Sequence, residues 1–129
     1  MNALVATVAG TWLVDLETEE LRAAGAEEVV SPPAVDVALP LLVAAAAVGS
    51  TVVAIVDRRP PLVVSHDAGV TWREAGGGLP KGTAVAIDAT NPDRILYAAR
   101  NRLFLSEDGG RFWRALMLEL PEITGVAFA

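Results

Sequence analysis

Two stretches, Ser65-His66-Asp67-Ala68-Gly69-Val70-Thr71-Trp72 and Ser106-Glu107-Asp108-Gly109-Gly110-Arg111-Phe112-Trp113, place a hydroxyl two residues before a carboxylate, 41 residues apart. Catalysis by such a serine needs a base, and metal binding needs further ligands. The chain has one histidine, His66 at the tip of a turn, and no cysteine. No Ser-His-Asp set, thiolate site or zinc site is therefore expected, and no catalytic residue, metal or cofactor is assigned. The repetition points to structure. Asp67 and Asp108 can accept backbone N–H bonds within a turn, and Ser65 and Ser106 can do the same. Gly69 and Gly110 supply a backbone angle other residues resist. Trp72 and Trp113 supply apolar area over a sheet edge. A second group, Arg58, Arg59, Arg100 and Arg102, carries planar forks suited to carboxylates or phosphates. Glycoside chemistry needs a carboxylate pair. Asp36 and Asp88 fall at opposite ends of their expected strands, and the one tyrosine, Tyr97, falls inside one. The glycine-rich 75–82 segment lacks the spacing of a phosphate-binding loop.

The elements that position these groups recur with them. A shift of 41 residues lays 54–72 over 95–113 without a gap, Trp72 meeting Trp113. Each copy is an apolar run, a short polar link, a second run, the Ser-x-Asp turn and a Trp strand, which reads as hairpin-linked strands. Val-Ala followed by a large apolar residue lies upstream at 36–39 and 84–87, and again at 125–128. Calling that strand A, and the others B (51–56, 94–99), C (61–65, 102–106) and D (71–75, 112–116), Asn91-Pro92-Asp93 is the A–B turn of the last copy. The run 41–48 fits either a strand or a short helical turn. The N-terminus supplies a worn copy: 4–10, 11–15 and 20–25 as B, C and D, with Asp15, Glu17, Glu19 and Arg22 in place of Ser, Asp, Gly and Trp.

The turns resemble the Asp-box of BNR-repeat β-propellers, a group that includes sialidases, sortilin-type receptors and photosystem II assembly-factor-like proteins. The resemblance covers about 35–80 and 83–116 well and 3–27 weakly. It implies an all-β propeller of four-stranded blades, and it leaves enzyme and scaffold both open. In such a fold the B–C and D–A links share the face opposite the Ser-x-Asp turns. That gathers Arg58, Arg59, Arg100 and Arg102 at the channel mouth, opposed by Glu27, Glu28, Glu119 and Glu122. A sialidase clamps its substrate with three arginines and uses a tyrosine–glutamate nucleophile pair. This chain has no arginine on its A strands. The expected role is a non-catalytic binding or assembly scaffold for a protein or a small anionic ligand; a sialidase-like hydrolase with an atypical site is the alternative.

The chain, 129 residues, suits one domain with its own core. Propellers have four to eight blades, and this sequence supplies strands for three. Blade 1 would span about 3–27, blade 2 about 34–76 and blade 3 about 83–116. The unpaired strand 123–129 matches the A strand missing from blade 1. A homodimer exchanging that strand would close six blades around a two-fold axis. A net charge of −6 opposes nucleic-acid binding. The uncharged run 37–56 is long enough to cross a bilayer. Pro40, Gly49 and the acidic flanks argue against that, and the acidic N-terminus does not resemble a signal peptide. A cytoplasmic location is expected.

Overall fold

A computed structural model of the chain describes residues 1–25, 30, 35 and 37–129. Among them are twelve strands in three four-stranded antiparallel sheets and no helix. Blade 1 contains β1 (Asn2–Thr7), β2 (Gly10–Asp15) and β3 (Leu21–Ala23). Blade 2 contains β4 (Leu42–Val48), β5 (Thr51–Val56), β6 (Leu62–Ser65) and β7 (Arg73–Ala75). Blade 3 contains β8 (Ala84–Asp88), β9 (Asn91–Ala99), β10 (Arg102–Ser106) and β11 (Arg114–Ala115). The last strand, β12 (Ile123–Phe128), completes blade 1, whose order is β12-β1-β2-β3. Three such sheets are the architecture of a partial β-propeller.

Blade 3 stands between the other two because its strands are apolar on both faces. Alternate residues of β9 point opposite ways: Leu96 and Ala98 join Val5, Val14 and Val126 in the core shared with blade 1, while Ile95 and Tyr97 join Val53, Ile55 and Leu62 in the core shared with blade 2. A smaller cluster, Ala54, Val56 and Val63, occupies the far face of blade 2 under Leu39 and Trp72. Two arginines tie neighbouring blades along the rim. Arg73 Nη2 donates to the Gly109 carbonyl at 2.8 Å, and Arg114 Nη2 donates to the Leu16 carbonyl at 2.8 Å.

Three expectations are corrected. Strand A of blade 2 is 42–48, not 36–39. Its alanine-rich run pairs with β5 from Leu42↔Val56 to Val48↔Thr51 across a Gly49-Ser50 turn, so these residues are strand rather than helix. Leu39 packs on the far face of the blade instead, and Asp36 lies outside the described residues. The A–B turn of blade 3 is Ala89-Thr90, capped by the Asp88 carboxylate, while Asn91-Pro92-Asp93 already belongs to β9. The missing strand of blade 1 comes from the same chain: β12 runs antiparallel to β1 from Ala3↔Phe128 to Thr7↔Ile123. A partner is not needed to supply it, because Val126 and Phe128 face blade 3 in the same core as Val5. The uncharged 37–56 run divides into two strands, and no helix among the described residues is long and apolar enough to cross a membrane.

Candidate functional site

At the foot of the arc, both Ser-x-Asp turns have the same wiring. Ser65 and Ser106 are buried. Each hydroxyl donates to its aspartate, Asp67 at 2.7 Å and Asp108 at 2.8 Å, and accepts the N–H of Gly69 or Gly110 at 2.8 and 2.9 Å. Both glycines have φ +91°, the region where a side chain is strained. Hydrogen bonds from the Thr71 side chain and backbone, then from Ser65, pull the Asp67 pKa down to about 2. Those from the Phe112 backbone and the Ser106 hydroxyl lower Asp108. Carboxylates so saturated with donors are turn staples rather than proton donors. Trp113 Nε1 donates to the Gly110 carbonyl at 3.0 Å, and its ring meets Tyr97 edge-on; Trp72 packs on the far face of blade 2. His66 is exposed. In the worn turn of blade 1, Asp15 does the work of the serine itself, accepting the N–H groups of Glu17 and Thr18, and Glu19 takes the glycine position with φ 61°.

At the centre, the inner strands β4, β8 and β12 border a cleft of about 350 Å³, walled by 42–45, 83–85 and 124–126 together with Val30 and Val35. Among its described lining residues the polar side chains are Thr83 and Thr124, and none of them can move a proton or carry a charge. Asp88 lies at the foot of β8. Burial alone would raise its pKa, but hydrogen bonds from Thr90 and Arg94 outweigh that and lower it. Arg94 Nη1 meets Asp88 Oδ2 at 2.9 Å. Tyr97 is fully buried, its hydroxyl donates to the Pro80 carbonyl, and desolvation pushes its pKa up to about 12. A phenol held protonated in this way is a poor nucleophile.

At the head of blade 2, the β5–β6 link and the loop after β7 form a second cavity of about 350 Å³, lined by Asp57, Arg58, Arg59, Pro61, Leu79 and Lys81. The link is fixed by two backbone bonds: Val56 N–H to the Pro61 carbonyl at 2.8 Å, and Asp57 N–H to the Leu41 carbonyl at 2.9 Å. Lys81 Nζ pairs with Asp57 at 3.0 Å, and Arg58 pairs with Glu74 at 3.1 Å. Arg58 and Arg59 thus come together. Arg100 and Arg102 do not line this cavity. Arg102 bonds the Leu116 carbonyl at 3.3 Å and Glu119 at 3.4 Å. The Arg100 backbone carbonyl accepts Ile123 N–H at 2.6 Å, and its side chain is exposed. Of the expected acidic rim, Glu119 and Glu122 are exposed, and Glu27 and Glu28 lie outside the described residues. Sequence reasoning missed Lys81 and Leu79 as pocket residues. The signal was present in Leu79-Pro80-Lys81, which follows strand D and therefore returns to the face carrying the Arg58-Arg59 link.

No family model matches the chain, and no curated protein matches it. Among solved structures it is similar to a GH74 enzyme from Niastella koreensis, with a TM-score of 0.55 and 21% identity. The match covers 92% of this chain and 18% of that one, so the chain spans under a fifth of the neighbour's length. GH74 is a β-propeller family, and at this identity the likeness supports the partial-propeller fold alone.

Proposed function

We propose that this chain is a non-catalytic propeller segment of the BNR type, acting as a binding scaffold, and that a second copy extends its three blades toward a closed ring. The observation that carries the first part is the central cleft. Its described lining holds no acid, base or nucleophile, and glycoside cleavage needs two carboxylates a few ångströms apart. The matched hydrogen bonding of 65–72 and 106–113 supports the BNR assignment, since the same residues at the same offsets do the same work in both turns. The test is hydrolysis of aryl glycosides, including the α-ketoside of sialic acid, by the purified full chain. No turnover above buffer is expected. Turnover abolished by Asp88→Asn would overturn the reading.

The alternative, a sialidase-like glycoside hydrolase, is favoured by one observation, the likeness to a GH74 enzyme. Against it stand the buried, protonated Tyr97 and the engagement of Arg94 with Asp88 at the foot of the blade, away from the cleft mouth.

A further inference from the structure

We propose that the cavity at the head of blade 2 binds a small organic monocarboxylate, with the carboxylate on the Arg59 and Arg58 forks and a short apolar body over Leu79 and Pro61. The proposal deepens the scaffold reading and rests on it, by naming the ligand class. Three observations carry it. First, the three B–C links differ. They are 8–9 in blade 1 and 100–101 in blade 3, but 57–61 in blade 2. Only the longer blade 2 link places two adjacent arginines beside an apolar floor, which a turn alone does not require. Second, the cations differ in their engagement. In blade 3, Arg102 is held by the Leu116 carbonyl and Glu119. In blade 2, Lys81 and Arg58 each have one acid, Asp57 and Glu74. Among the described residues, no acid or carbonyl meets the exposed Arg59 side chain. The cluster therefore carries one uncompensated positive charge on a chain whose net charge is −6. Third, the floor is apolar. Leu79 is 5% exposed and Pro61 is buried. That disfavours a fully hydrated anion such as phosphate and favours a carboxylate attached to hydrocarbon. A guanidinium fork matches a carboxylate with two parallel hydrogen bonds, and the ion pairs at Lys81 and Arg58 hold their neighbours in place for it.

Two sources share this chemistry: a free organic acid, and the C-terminal residue of another polypeptide. Nitrogen-labelled full chain is titrated with hexanoate, N-acetyl-leucine, N-acetyl-leucinamide and inorganic phosphate, and the amide resonances are followed. Hexanoate is expected to shift the amides of Asp57, Arg58, Arg59, Leu79 and Lys81, less so as salt is added. A response to N-acetyl-leucine at the same amides extends the site to chain termini. Arg59→Gln should weaken binding about tenfold or more while leaving the rest of the spectrum in place, because among the described residues that side chain has no partner to lose. Lys81→Met, which keeps the apolar stem, should weaken binding less, and Arg102→Gln should leave it unchanged. An equal response to N-acetyl-leucinamide or to phosphate, or no response to hexanoate, overturns the proposal. Glycoside turnover alongside intact hexanoate binding would overturn the scaffold reading and leave this site standing.

Discussion

Ser106 shows what one hydroxyl does in this protein. It is buried, donates to Asp108 and accepts Gly110 N–H. Ser106→Ala leaves that N–H buried without a partner, which costs about 1–3 kcal/mol. A denaturant midpoint lower than the wild type's, at unchanged slope, is the expected result, and Ser65→Ala should match it. Asp67 adds a pH signature. Its folded pKa, about 2, lies below its ordinary 3.8. A depressed carboxylate contributes stability that is fully present above the unfolded value and is lost as pH falls through the folded one. The stability gap between wild type and Asp67→Asn should therefore narrow between about pH 4 and about pH 2; a gap constant across that window would show that the carboxylate's charge contributes nothing to the turn. These roles were legible in the sequence because the hydrogen bonds are local, spanning two to four residues. The pocket residues Lys81 and Leu79 were not, because their neighbours in space, Asp57 and Arg58, are more than twenty positions away.

The strands owe their places to which faces they must bury. Apolar residues on both faces of β9 put blade 3 in the middle, and Tyr97 fixes its face toward blade 2 with edge-on contacts to Phe104 and Trp113. Gly82 lies directly against that ring, where any Cβ would overlap it. Gly82→Ala must displace either the loop or Tyr97, and a loss of about 1–3 kcal/mol is expected in thermal or denaturant melts. A neutral outcome would mean the 80–83 loop yields freely. B, C and D strands could be read from the sequence since alternation and turn residues mark them. Strand A of blade 2 could not. Val37-Ala38-Leu39 imitates the repeat, while the alanine run 42–48 has no alternation and declares itself only by pairing with β5. Met117 is 78% exposed. Glu19 of blade 1 accepts the Met117 and Leu118 N–H groups, and that backbone anchoring leaves the side chain outside.

At the scale of the molecule, the arginine ties run in one direction. Arg73 of blade 2 reaches the turn of blade 3, and Arg114 of blade 3 reaches the turn of blade 1. Each arginine sits on strand D opposite an apolar residue of strand C: Val64↔Arg73 and Leu105↔Arg114. Leu13↔Arg22 repeats that placement in blade 1. At the other end of the series, the Ala68 carbonyl of blade 2 corresponds to that of Gly109 and accepts no hydrogen bond among the described residues. Under the proposed closure by a second copy, two sets of three blades would give six, inside the range of closed propellers. Completion of blade 1 by β12 in the same chain removes strand exchange from this picture and leaves a face-to-face seam. Under that proposal the expected mass in solution is twice the 13.5 kDa of the chain, measured by light scattering across a dilution series. A wild-type monomer at every concentration would mean that the 37–39 segment, with Leu39 packed over Ala54, Val56 and Val63, seals the far face of blade 2 by itself; the vacant carbonyl of Ala68 would then be a solvated turn end and not half of a seam.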